Sequence, residues 1–64
     1  MLESHQLRVY KERDDLEAKI VKLKEFLYGE ASRNLPLEEL KLLTDQLTLM
    51  NGYSSILSRR ILRF

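Results

Sequence analysis

The sequence predicts an all-α fold: an antiparallel two-helix hairpin that self-associates into a coiled-coil-like or helical-bundle homo-oligomer. Three observations predict it. Apolar residues recur at heptad spacing in two segments. A single break, marked by Gly29 and Pro36, separates them. The second segment carries a wider apolar arc than one neighbouring helix can cover.

Composition agrees. The 64 residues include two Gly, one Pro and no Cys. So little Gly and Pro argues against a turn-rich β fold, and the lack of Cys excludes a disulfide scaffold and a thiolate zinc site. The net charge of +1 speaks against an acidic nucleic-acid mimic and against a strongly basic nucleic-acid coat. A chain this short buries roughly 60% of the surface its unfolded form exposes, which is marginal for one copy. Oligomerisation is the remaining common source of stability.

The first helix is predicted over residues 3–28. Leu2, Val9, Leu16 and Leu23 recur every seven residues. Gln6, Arg13, Ile20 and Leu27 follow four residues behind, about 40° further round. Opposite charges fall at helical spacing in Arg8 with Glu12, Lys11 with Asp15, Arg13 with Glu17 and Asp15 with Lys19, each pair contributing a few tenths of a kcal/mol. Gly29 is expected in the left-handed conformation that ends many helices, opening a connection over residues 29–35. Pro36 suits the first turn of the next helix. Glu38 and Glu39 then meet the positive end of its macrodipole.

The second helix is predicted over residues 36–64. Leu40, Leu43, Leu47, Met50, Ser54, Leu57, Ile61 and Phe64 step by 3 and 4 in strict alternation, a heptad seam. Leu42, Leu49 and Ile56 form a second stripe, with Tyr53 beside it, and the whole apolar arc covers roughly 160°. Asn51-Gly52 resembles a hairpin-turn signal, but the heptad phase is unchanged across it, so the helix is expected to continue. The second half of the first helix (Ile20, Leu23, Phe26, Leu27) is expected to match the start of the second (Leu37, Leu40, Leu43, Leu47). At the other end the second helix presents more apolar surface than its own chain covers. An oligomer interface is therefore expected at Leu47, Met50, Ser54, Leu57, Ile61 and Phe64.

Catalytic candidates are scarce. His5 is the single histidine and reads as a surface residue; Asp14 and Asp15 are adjacent and do not share a helix face. No phosphate loop, nucleophile–base pair or metal-ligand spacing is present in the sequence, so neither a catalytic residue, a metal nor a cofactor is expected. Binding chemistry is better represented. Gly52, Ser54 and Ser55 narrow the second helix, Tyr53 offers a ring for stacking, and Arg60 and Arg63 offer guanidinium groups. A nucleotide base with its phosphates asks for these groups. Arg8 and Lys11 belong to the same end of the hairpin. The expected ligand-binding set is therefore Tyr53, Ser54, Ser55, Arg60, Arg63, Arg8 and Lys11. The structural alternative is that Ser54 sets register, Tyr53 fills an interface and the arginines complement the helix C-terminus.

Three blocks carry a resemblance: Glu12-Arg13-Asp14-Asp15-Leu16-Glu17-Ala18-Lys19-Ile20, Leu35-Pro36-Leu37-Glu38-Glu39, and Met50-Asn51-Gly52-Tyr53-Ser54-Ser55-Ile56-Leu57-Ser58-Arg59-Arg60-Ile61. Through them the stretch from Arg8 to Phe64 resembles a family of short phage-encoded proteins of unassigned role. More distantly, the hairpin with its small-residue patch is similar to phage sponge proteins, compact helical oligomers that sequester cyclic nucleotide signals of bacterial immunity between subunits. The resemblance implies a non-enzymatic phage accessory protein with an anti-defence role, binding a small nucleotide signal. The alternative is a helical protein–protein module, an inhibitor or scaffold that engages a host or phage protein through its apolar stripe. Either reading predicts a cytoplasmic protein whose partners include further copies of itself, but neither a membrane nor duplex nucleic acid.

Overall fold

The computed structural model describes residues 2–64. The chain forms helix α1 over Ser4–Tyr28, a short 3-10 helix over Glu30–Asn34 and helix α2 over Leu37–Leu62. The helices pack antiparallel into an elongated hairpin measuring 48 × 15 × 13 Å. Helix α1 begins with Gln6 reaching back, its Oε1 accepting the Glu3 backbone N–H at 2.8 Å. Two of its first-turn backbone donors are met by the Glu3 carbonyl. Pro36 lies just outside α2 as its N-cap, with φ −57°, and its carbonyl accepts the Leu40 N–H at 3.1 Å. Glu38 and Glu39 occupy the first turn of α2, and Arg59 and Arg60 the last, so both ends of its dipole meet opposite charge.

Gly29 does not adopt the left-handed conformation. Its φ is −91° and its ψ 177°, and positive φ occurs at neither glycine. The chain leaves α1 in an extended step and turns at once into the 3-10 helix. The Ser32 hydroxyl stabilises this exit: buried in the turn, it lies 3.1 Å from the carbonyl oxygens of both Leu27 and Gly29. Glycine is needed for close approach instead, since a Cβ at this position would lie 2.9 Å from the Glu25 carbonyl oxygen.

Helix α2 runs unbroken through Asn51-Gly52, as the seam phase requires. A Cβ at Gly52 would meet nothing within 4 Å. The two glycines should therefore respond with opposite signs. Gly52→Ala is expected to raise stability by up to about 1 kcal/mol, through helix propensity alone. Gly29→Ala is expected to lower it by about 1 kcal/mol or more, because the exit turn must shift to admit the methyl group. Urea unfolding followed by circular dichroism checks both.

The core consists of Val9, Leu16, Ile20 and Leu57, with Leu47, Met50 and Ile61 packed against it. The loop end is matched as expected at Ile20, Leu23, Phe26, Leu27, Leu40, Leu43 and Leu47, all buried or half-buried, but the most buried positions extend into the other half of the hairpin. Leu37, assigned to the well-matched loop end, is 82% exposed, whereas Leu57, near the open end, is fully buried. The reason is the reach of α1. Val9, Leu16 and Ile20 follow one face of it for three turns and meet α2 beyond its midpoint. The open end is closed by Tyr10 and Phe64, whose rings meet edge-on with centroids 6.0 Å apart.

Candidate functional site

The heptad seam of α2 faces α1 of its own chain. Leu57 and Ser54 are buried there, and Leu47, Met50 and Ile61 are half-buried. Five of the six residues assigned to an oligomer interface thus pack within the hairpin, and the sixth, Phe64, packs on Tyr10. Ser54 has a polar partner where leucine would have had none: its hydroxyl donates to the Glu17 carboxylate across the seam. Glu17 had been paired with Arg13 by spacing. Instead, the Arg13 guanidinium lies 5.4 Å from the centroid of the Tyr10 ring and donates to Asp14 at 3.2 Å. Of the expected ion pairs, Lys11 with Asp15 forms, at 2.9 Å. The hydrogen bond and charge of Asp15 raise the Lys11 amine above its ordinary pKa of 10.5.

The second stripe is the uncovered one. Leu42, Leu49 and Ile56 are all more than half exposed, Leu49 reaching 75%, and Tyr53 beside them is 44% exposed. An open groove of about 500 Å³ runs along this face, lined by Leu42, Asp45, Gln46, Leu49, Met50 and Tyr53. That volume falls within the range of small-molecule sites. At about 100° per residue, Arg60 lies within roughly 20° of Leu49 around the helix, and Tyr53 and Arg63 within roughly 40°. All three are exposed. One face of α2 therefore carries an apolar floor, an aromatic ring, the carboxylates of Glu38 and Asp45, and two guanidinium groups.

The rest of the expected ligand-binding set does not gather there. Ser54 points into the seam, bonded to Glu17. Ser55 is exposed, but about 100° of helix phase separates it from Ser54, and more than that from Leu49. On α1, Arg8 and Lys11 are exposed, about 80° and 140° round from buried Leu16, and Lys11 is engaged by Asp15. Asp45 and Gln46 were not singled out from the sequence, although their three- and four-residue spacing from Leu49 places them on the same face. Among the described residues, no three His, Cys, Asp or Glu side chains cluster to hold a metal ion. None of the described helices is long and apolar enough to cross a membrane.

The structure is thus a small helical hairpin with an open apolar groove on the outer face of α2. The chain is a member of the Sequestin family, whose model matches residues 3–63. The family's name denotes sequestration, a role of holding a ligand or partner rather than converting it. No curated protein matches the chain, and no solved structure does.

Proposed function

We propose that this protein is a non-enzymatic phage accessory protein with an anti-defence role, which sequesters a small cyclic nucleotide signal in the cytoplasm of the infected host, at a subunit interface. The observation that carries this reading is that Tyr53, Arg60 and Arg63 share one exposed side of α2 and its C-cap, with Tyr53 lining the groove and the two arginines further along toward the C-terminus. Tyr53 supplies a flat ring on which a base stacks. Arg60 and Arg63 present planar guanidinium groups that bind phosphate oxygens in a fork. Asp45, on the groove wall, supplies an acceptor for the exocyclic amino group of a purine. Membership of a family named for sequestration supports holding the ligand rather than turning it over.

Isothermal titration with a panel of cyclic di- and trinucleotides tests the reading. At least one member is expected to bind with micromolar affinity or better. An absence of heat from the whole panel would remove the nucleotide reading. A protein–protein module would then take its place, a reading favoured by the exposed stripe of Leu42, Leu49 and Ile56.

A further inference from the structure

We infer that the outer face of α2 is a self-complementary docking surface for a second copy of this chain, paired antiparallel about a two-fold axis at Leu49. This inference concerns the ligand-free protein and does not depend on the nucleotide reading.

The face reads symmetrically outward from Leu49. Leu42 and Ile56 lie seven residues to either side, Asp45 and Tyr53 four, Gln46 and Gly52 three, and Glu38 and Arg60 eleven. All of these residues are exposed. At 100° per residue, Leu42, Ile56, Glu38 and Arg60 fall within roughly 20° of Leu49, and Asp45 and Tyr53 within roughly 40°. An isologous contact makes residue i of one copy meet residue j of the other, and j meet i. With the axis at Leu49, each Leu42 meets an Ile56 and each Glu38 an Arg60. Each Asp45 carboxylate meets a Tyr53 hydroxyl, and each Gln46 lies over a Gly52, which has empty space where a Cβ would project.

Charge selects this orientation over the parallel one. A parallel pair would set Glu38 against Glu38 and Arg60 against Arg60, and like charges juxtaposed at an interface are costly. The antiparallel pair turns both contacts into ion pairs. The apolar stripe from Leu42 to Ile56 spans about 21 Å of helix, and covering it removes the large apolar side chains that the hairpin leaves exposed on this face. The heptad seam stays where it is, against α1. In the ligand-free pair Tyr53 and Arg60 are engaged by the second copy and Arg63 lies outside these contacts, so a nucleotide held by this face must displace the Asp45 and Glu38 contacts.

The test uses ligand-free protein, which separates it from the nucleotide titration. Sedimentation equilibrium at micromolar concentration is expected to show a dimer or a multiple of one; a folded monomer overturns the inference. The natural chain has no cysteine, so Leu49→Cys adds a single thiol at the proposed axis, where two facing helices approach closely enough for a disulfide. Mild oxidation is expected to link the copies far faster than in Lys22→Cys, whose thiol lies on α1. Equal rates would overturn the register. Glu38→Arg is expected to weaken association at least about tenfold, and the double variant Glu38→Arg with Arg60→Glu to restore it. A double variant no tighter than Glu38→Arg alone would contradict the pairing.

Discussion

Leu57→Ala is expected to bring the protomer close to unfolding without denaturant, with a larger loss than truncation of Leu47 or Leu42. Leu57 is fully buried and contacts the core formed by Val9, Leu16 and Ile20. Truncating a buried leucine to alanine costs about 3–5 kcal/mol where the surroundings cannot collapse. A single core in a chain this small rarely supplies more than about 3–5 kcal/mol in total. Leu47, half-buried against the same core, should cost less than Leu57 when truncated. Leu42, which is 58% exposed, should cost less than about 1 kcal/mol to the protomer's own fold. Urea unfolding in the Glu38→Arg background, where the pairing of copies is weakened, followed by circular dichroism at one fixed protein concentration, gives the order Leu57 over Leu47 over Leu42. Equal losses at Leu42 and Leu57 would mean that both stripes are equally covered, contrary to the packing described above.

The second large effect is expected on binding. Arg60→Ala combined with Arg63→Ala should weaken nucleotide binding by at least about 100-fold. A hydrogen bond to a charged group contributes about 1.5–3 kcal/mol, each 1.4 kcal/mol is about tenfold in affinity, and two arginines are removed. Lysine at both positions should recover only part of the loss, because it keeps the charge but not the planar fork. Arg59→Ala is the control, since Arg59 lies roughly 80° away from Leu49 around the helix, and its affinity should be nearly that of the natural protein. Titration calorimetry reads all three variants. Affinity unchanged in the double alanine variant would take the site off this face.

The helices and their extents were legible in the sequence because two signals agree. Heptad spacing persists on both sides of a single break, and Pro36 can begin a helix but not continue one. The fate of Asn51-Gly52 was legible for the same reason: a turn would have shifted the phase from Met50 to Ser54 to Leu57. The conformation of Gly29 was not, because a glycine after a helix serves equally as a left-handed cap or as a point of close backbone approach. The deciding contact, with the Glu25 carbonyl oxygen, depends on the path of the exit turn. The extent of packing was also hidden. Spacing identifies an apolar face but not how far along it the facing helix stays in contact, and so Leu57 rather than Leu37 is the buried residue.

The candidate site was half legible. Tyr53, Arg60 and Arg63 share a face by helix phase alone, and the structure leaves that face open. Ser54 and Ser55 were grouped with them by adjacency, a poor guide on a helix, where neighbouring residues diverge by about 100°. Ser54 could have been assigned to the seam from its heptad position, but its Glu17 partner could not, because that contact depends on the relative shift of the two helices. Arg8 and Lys11 lie at the right end of the hairpin and on other faces of α1.

Sequestration makes one demand that neither a catalyst nor a purely structural hairpin meets: the ligand must be held and then released chemically unchanged. The most direct measurement incubates the protein with the cyclic nucleotide panel, weighs the complex by native mass spectrometry, denatures it by heat and identifies what is released. The account predicts a complex heavier by one intact nucleotide per site, and recovery of that same nucleotide, uncleaved, after denaturation. Recovery of a linearised or hydrolysed product, or a protein that gains no mass with any member of the panel, would contradict it.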